Sequence, residues 1–337
     1  MRALVTGGGG FLGQYIVREL LQGGHKVRVF CRGQYPELTK LGAEIFQGDI
    51  KNETEITIAG ENQDIIFHTA AKVGVQGRYH EFYETNVEGT KNVIRTCFRN
   101  QIKKLVYTSS SSVTYDGKNH ENVDETLPYP KKFLAYYSHT KAIAEQLVLS
   151  HNGDNGLLTC ALRPHLIWGP HDKYIIPKLL EGAKQGRLRI IGNGKNITDI
   201  TYVENAAHAH ILAGSNLTMG SPVPAQAYFI TQGQSVVMWE WINMILKNLD
   251  LPPVTKHLSP TLAYALGYVC EKIYERVPQL GHPPMTRLIA RELATTHTYN
   301  ISKARTHFGY APLISTAEGL QKLFTYYGGA KRNNVSM

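Results

Sequence analysis

Arg2-Ala3-Leu4-Val5-Thr6-Gly7-Gly8-Gly9-Gly10-Phe11-Leu12-Gly13 is the stretch that decides the fold. A short apolar run ending in a glycine cluster reads as a buried parallel strand entering a tight turn. Beyond the turn, Phe11, Leu12, Tyr15, Ile16, Leu20 and Leu21 recur at helical spacing, which predicts a helix. Strand, glycine turn and helix N-terminus together make a phosphate site. Glycine lets the backbone come close to a pyrophosphate, and the first helical N–H groups point at it. The glycines fit two registers, Gly8-x-Gly10-x-x-Gly13 and Gly7-x-x-Gly10-x-x-Gly13 preceded by Thr6. The plain alternative is a flexible glycine loop.

The next strand, Lys26 to Phe30, bears on which dinucleotide is held. An acidic residue at its end would bond the ribose 2′-hydroxyl of NAD. Cys31 stands there instead, followed by Arg32, whose guanidinium suits a 2′-phosphate. This favours NADP(H), with a solvated surface arginine as the alternative. After a further short strand, Glu44 to Phe46, comes Gly48-Asp49-Ile50. Asp49 either accepts from the adenine amino group or closes a turn.

Lys104 to Thr108 reads as a strand running into Ser109-Ser110-Ser111-Ser112, and ligands of open parallel sheets bind outside the carboxyl ends of the strands. Tyr137 and Lys141 follow in a helical pattern from Tyr136 to Leu149. Four residues apart, they share one helix face. A tyrosine of pKa about 10 exchanges protons slowly near neutrality, and a nearby lysine cation lowers that value. In this order the glycine turn, serine run and Tyr-x-x-x-Lys pair describe hydride transfer between a nicotinamide dinucleotide and a carbonyl or alcohol.

On these motifs the chain resembles the extended short-chain dehydrogenase/reductases, which use the Thr6, Gly7, Gly10, Gly13 register, and within them the 3β-hydroxysteroid dehydrogenase-type branch. Further matching segments are Phe67 to Ala71, Asn86 to Thr90, Tyr107 to Val113, Leu162-Arg163-Pro164, Gly192 to Asn196, Lys303-Ala304 and Phe308 to Pro312. Arg163 to Pro170 is particularly like the 2-alkyl-3-oxoalkanoate reductases. The resemblance implies Ser110, Tyr137 and Lys141 as the catalytic set, with Ser109 or Ser111 as alternative donors. It implies cofactor contacts from the turn (Thr6, Gly7, Gly10, Phe11, Leu12, Gly13), from Arg32, Asp49 and Ile50, and from Ala70 and Ala71 lining the cleft. Asn86 (otherwise a helix N-cap), Thr108, Tyr137 and Lys141 would also touch it, and Pro164, Leu166 and Ile167 would lie beside the nicotinamide. The function implied is NADP(H)-dependent reduction of a hydrophobic 3-oxo acid. The alternatives are a 3β-hydroxysteroid or sterol-4-carboxylate 3-dehydrogenase, a nucleotide-sugar epimerase or dehydratase, and a non-catalytic dinucleotide sensor. The sensor sits poorly with retention of both Tyr137 and Lys141. A homodimer is implied, with Ile94, Phe98, Ile143 and Leu147 supplying apolar surface.

The remaining composition sets bounds. With 337 residues and 42% hydrophobic content, the chain is long enough for one large α/β unit and a smaller one. Cys31, Cys97, Cys160 and Cys270 lack metal or disulfide spacing, which suits a reducing cytoplasm and leaves no metal site in view. The first strand starts at once, leaving no room for a signal peptide, and no run of about 18 apolar residues suggests a membrane span. The net charge of +9 is dispersed and no nucleic-acid motif accompanies it. It suits a phosphate-rich cofactor, an acidic substrate or peripheral contact with an anionic membrane.

Alternating strands and helices predict a Rossmann-type, doubly wound parallel sheet over 1–168, rejoined by 199–233, with a smaller, discontinuous substrate domain at 169–198 and 234–330 and a disordered tail from Gly328. Trp239, Trp241, Ile242, Ile245 and Leu246 predict a packed helix. Another opens at Ser259-Pro260 and carries Leu262, Leu266, Val269, Cys270, Ile273 and Val277 as one apolar stripe, either covering substrate or packing on its own domain, with Pro278 as its stop. His208 and His210 read as surface or packed helix residues.

Overall fold

The computed structural model describes residues 1–74, 77–277 and 283–333. Seven parallel strands form the main sheet: β1 (Arg2–Thr6), β2 (Lys26–Cys31), β3 (Glu44–Gln47), β4 (Ile65–His68), β5 (Lys104–Thr108), β6 (Leu158–Pro164) and β7 (Gln226–Ile230). Their order is β7-β6-β5-β4-β1-β2-β3. Every residue of β4 and β6 is buried, as expected of strands covered on both faces. Successive side chains point to opposite faces. Ala3 and Val5 accordingly pack with Ile16, Val17 and Leu20 of α1 (Phe11–Gln22) and with Ala206, Ala209 and Ala213 of α4 (Val203–Asn216). Leu4 points the other way, into Val93 and Cys97 of α2 (Gly89–Arg99) and Ala144 and Val148 of α3 (Tyr136–Ser150). The strand order reverses at β1, so β1 and β4 diverge into a crevice at their carboxyl ends, Thr6 and His68.

A four-stranded sheet forms the second layer, ordered Ser235–Val237, Ile197–Asp199, His297–Tyr299, His120–Val123. Residues 120–123, assigned from sequence to the dinucleotide unit, therefore pair with the smaller one. They leave β5 on a long excursion, and their backbone groups find partners on His297 and Tyr299. Helix Ser302–Phe308 goes the other way, with Ala304 and Phe308 in the main core. The Trp239 helix, Met238–Asn248, is packed as expected.

Two expectations change. Helix α5 (Pro260–Arg276) begins as predicted, with Ser259 Oγ accepting from Leu262 N and proline at the first position. Its apolar stripe, however, faces outward, and the helix buries Ala263 and Gly267 instead. A side chain at Gly267 would lie 2.6 Å from the Thr286 backbone, so the missing one lets the start of α6 (Arg287–Glu292) close in. The expected stop at Pro278 lies outside the described residues. The last helix, Thr316–Asn333, continues through 328–333, where the sequence predicts a disordered tail, and 334–337 lie outside the described residues. Among the described residues no helix is long and apolar enough to cross a membrane.

Candidate active site

The glycine turn forms a cradle for an anion. Gly7 has φ +69°, and a Cβ there would come within 2.7 Å of Ala70 N, so only glycine lets the exits of β1 and β4 approach this closely. A Cβ on Gly13 would press to 2.7 Å from Gly8 Cα, so the helix sits directly on the turn. These are positions of the Gly7, Gly10, Gly13 register. Gly10 begins α1 without a side-chain cap, which leaves the first helical N–H groups available to a pyrophosphate. The ring of Tyr35 covers Gly9, a neighbour that no sequence signal announced. Thr6 is buried and Leu12 nearly so, while Phe11, Ala70 and Ala71 are half-buried along the crevice.

Arg32 is exposed at the end of β2 and has no acidic partner among the described residues. Asp49 Oδ1 accepts from Lys51 N at 3.0 Å, so the aspartate closes a turn as one of its two readings had it. Ile50 is buried, in a position where a Cβ on Gly89 would touch it.

Beneath the cradle runs a chain of hydrogen bonds. Thr90 Oγ1 donates to Asn86 O at 2.6 Å, so it accepts from His68 Nε2 at 3.0 Å. The other ring nitrogen, Nδ1, then accepts from Thr6 Oγ1 at 2.7 Å. Burial, with the Lys141 charge nearby, holds His68 down to about 3, so it is neutral. Asn86 lies within a π-helical turn, Glu84–Glu88, and is no N-cap. Its amide oxygen accepts from Lys72 N (2.7 Å), and its NH2 donates to Lys72 O (3.1 Å) and Thr140 Oγ1 (3.0 Å). Asn86 thus ties the cleft loop after β4 to the residue preceding Lys141. Extra-wide turns of this kind commonly aim a side chain at functional sites.

The serine run separates into distinct roles. Ser110 caps the short 3₁₀ turn Ser111–Thr114 and bonds the Ser112 hydroxyl at 2.9 Å. Its hydroxyl also lies near enough to Tyr137 to favour the ionised phenol. Ser111 is committed to His165 Nδ1 at 2.7 Å, and the Ser109 hydroxyl is buried without a partner. Burial pushes Tyr137 up to about 12; the nearby Ser110 hydroxyl opposes this, and Glu292 and Tyr174 add to it. Lys141, one helical turn on from Tyr137, is anchored on the strand end. It donates to Thr108 O and lies 4.1 Å from the centre of the Tyr107 ring. Burial brings Lys141 down to about 7, opposed by Glu145 one turn along. Thr108 Oγ1 bonds His210 Nε2 at 2.8 Å, and His210 Nδ1 donates to Ala206 O. His210 is thus packed beneath the site, while His208 bonds Glu19 at 2.7 Å.

The far wall comes from β6 and the smaller unit. After Pro164 the chain turns sharply, with Leu166 at φ +42°, a sterically costly conformation for leucine and of the kind that gathers at ligand sites. Leu166 and Ile167 remain half-buried. His165 donates from Nε2 to Thr198 Oγ1 at 3.2 Å, the Thr198 hydroxyl being spent on Asp199 O. Glu292, the last residue of α6, is half-buried and raises the pKa of Tyr137, Tyr115 and Tyr299. Its segment is held by Tyr115 OH, which meets Thr295 Oγ1 at 2.8 Å. Burial moves Glu292 up to about 7. No sequence pattern singled it out. At the base of α3, Arg163 Nη2 donates to Glu145 Oε1 at 2.6 Å and Nε to both carboxylate oxygens, while Tyr129 OH donates to Oε1 at 2.6 Å.

Comparison with known proteins agrees with this geometry. The model of the 3-beta hydroxysteroid dehydrogenase/isomerase family matches residues 4–259. The chain is 44% identical over 326 residues to the 2-alkyl-3-oxoalkanoate reductase of Stenotrophomonas maltophilia, covering 96% of this chain and 98% of that protein. It is 35% identical over 326 residues to the human sterol-4-alpha-carboxylate 3-dehydrogenase, decarboxylating, covering 95% and 87%. Among solved structures, MoeE5 in complex with UDP-glucose and NAD superposes with a TM-score of 0.75 at 24% identity over the full length of both chains, a likeness of fold.

Proposed function

The chain belongs to the 3-beta hydroxysteroid dehydrogenase/isomerase family of nicotinamide-dependent oxidoreductases, and from that premise we propose that it reduces the ketone of a hydrophobic 2-alkyl-3-oxo acid to the 3-hydroxy acid, with NADPH. The observation that carries this reading is that α3, the helix of Tyr137 and Lys141, packs on the serine turn at the carboxyl end of β5, where Lys141 donates to Thr108 O, in a chain so similar to a reductase of that name.

A nicotinamide dinucleotide supplies the hydride, and the glycine cradle, the uncapped start of α1 and the half-buried Ala70 and Ala71 fit such a group. Arg32 takes the 2′-phosphate, with no carboxylate nearby on β2 to repel it. Ser110 donates to the ketone oxygen as negative charge grows there, and Tyr137 gives that oxygen its proton. Lys141, held by Thr108 O, would donate to a ribose hydroxyl of the cofactor. Asn86 acts as a positioning residue between the cleft loop and α3, and Leu166 and Ile167 present the apolar wall beside the nicotinamide. The reductive direction rests on the similarity to the reductase, since the same tyrosine is the acid in reduction and the base in the sterol oxidation named for the human relative.

The half-buried Phe98, Ile143 and Leu147 lie along α2 and α3 as the apolar surface of a homodimer; Ile94 packs into the sheet and contributes nothing to it. Four free cysteines suit the reducing cytoplasm.

The test is kcat/KM over a chain-length series of 2-alkyl-3-oxo acids with NADPH and with NADH, beside 3β-hydroxysteroids and UDP-sugars. NADPH is preferred, and each buried methylene adds up to about 0.8 kcal/mol until the pocket is full. Tyr137→Phe lowers kcat by orders of magnitude with dinucleotide affinity nearly unchanged. A flat series, or turnover of UDP-sugars instead, ends the reading.

A further inference from the structure

Helix α5 is built inside out. Leu262, Leu266, Val269, Ile273 and Val277 step along one face at helical spacing, and each is between 41% and 52% exposed. The inward face is Ala263 and Gly267, closed against the α6 backbone. Single exposed apolar residues are ordinary, but five in one stripe mark a surface for something apolar.

What borders the stripe identifies the partner. Tyr268 flanks it at 47% exposed, with Lys272 Nζ 6.0 Å and the Arg287 guanidinium 5.3 Å from its ring centre. Arg291 lies 4.8 Å from the Tyr264 ring. The acidic residues of α5 are already neutralised, Glu271 by Arg287 (2.7 Å) and Glu275 by Lys272 (2.9 Å). Arg276 and Arg291 have no acidic partner among the described residues, so the border is basic in a chain of net charge +9. An apolar stripe edged by tyrosines and unneutralised cations is the composition of a helix lying in the headgroup layer of an anionic bilayer. A second copy on the same stripe would bring two basic borders together. The place also fits, because Arg291 of the basic border lies 3.8 Å from where a Cβ on Gly117 would sit, just beyond the serine turn, so the border adjoins the cleft.

We propose that α5 is a peripheral membrane-docking face whose apolar stripe beds in the surface of a bilayer carrying anionic lipid, turning the cleft mouth toward that surface. The docking holds whichever carbonyl compound the enzyme reduces.

The experiment is sedimentation of the full chain with vesicles of phosphatidylcholine, with and without phosphatidylglycerol, at low and high salt. The protein is expected to sediment with the anionic vesicles at low salt, less in high salt, and weakly with phosphatidylcholine alone. The triple variant L266E/V269E/I273E, all at exposed positions, is expected to lose binding by at least about tenfold with an unchanged melting temperature. Should the charges disturb folding, Val269→Ser with Ile273→Thr gives the same loss in smaller degree. A wild-type protein that stays in the supernatant with anionic vesicles, or variants that bind as well as wild type, overturns the proposal. So does self-association without vesicles that the triple variant abolishes, since the occupant is then a second copy.

Discussion

Glu292, 155 residues beyond Tyr137 in the chain, stands within electrostatic reach of it and raises its pKa. Ionised Glu292 raises the tyrosine further and repels an incoming carboxylate, whereas neutral Glu292 can donate a hydrogen bond to it. With Glu292 moved up to about 7, the neutral form predominates below that pH and the anion above. Turnover of a 3-oxo acid should therefore fall as pH rises through about 7, and Glu292→Gln, a permanent neutral donor, should flatten that limb. Lys141 also sits at about 7, but its loss of charge would be felt equally by both enzymes and by a methyl ester of the substrate. Profiles of kcat/KM against pH for acid and ester decide it, and superimposable wild-type and variant curves for the acid would clear Glu292 of the role. The contrast in legibility has a physical origin. Tyr137 and Lys141 declare themselves because four residues is one turn of a helix. Glu292, His165 and Tyr35 get their settings from distant segments, and nothing in their own neighbourhood encodes that.

The catalytic helix depends on an ion pair that has left water entirely. Glu145 is fully buried and Arg163 nearly so, joining α3 to β6 directly below Lys141. Such a pair adds little over a well-packed apolar substitute, but removing one partner strands a charge, at a cost of about 3–5 kcal/mol. Arg163→Met should therefore destabilise the protein strongly in urea unfolding, and Glu145→Leu combined with it should recover much of the loss. A double variant no better than the single would mean that the pair, and not the stranded carboxylate, carries the energy. The elements themselves were legible wherever their period was strong: β1, α1, β5 and α3 lie where the pattern puts them. The π-helical turn at Asn86 and the outward stripe of α5 were not. One is a register slip inside a helical pattern, and the other depends on which of two faces finds a neighbour, which a hydrophobic period leaves open.

Across the molecule, the most consequential electrostatic feature is a set of histidines sealed in neutral form. Burial holds His68 down to about 3, His210 to about 4 and His297 to about 3, with Lys141 beside the first two and His120 beside the third. Burial and the neighbouring His297 and His120 keep His165 well below the usual range too. The unfolded chain protonates its histidines near 6.5, so between that pH and about 4 it binds protons that the folded protein refuses, and stability falls as pH falls. A group held at about 3 costs roughly 3 kcal/mol by pH 4, and a few such groups match the whole stability of an ordinary domain, about 5–15 kcal/mol. Glu292, raised by burial to about 7, acts in the opposite sense, as do Glu19, Glu125, Asp172 and Asp199, which burial also raises, but none of these is held as far from its ordinary value as His68 or His297. The protein should therefore unfold in acid with a midpoint above about pH 4, and the steepness of the transition should report the uptake of several protons. His210→Asn removes one of them. Monitored by circular dichroism, its acid transition should be shallower by about one proton, even though the lost bond to Thr108 lowers stability at neutral pH. A variant transition as steep as wild type, or a wild-type protein still folded at pH 3, would mean that these histidines take up protons without opening the fold.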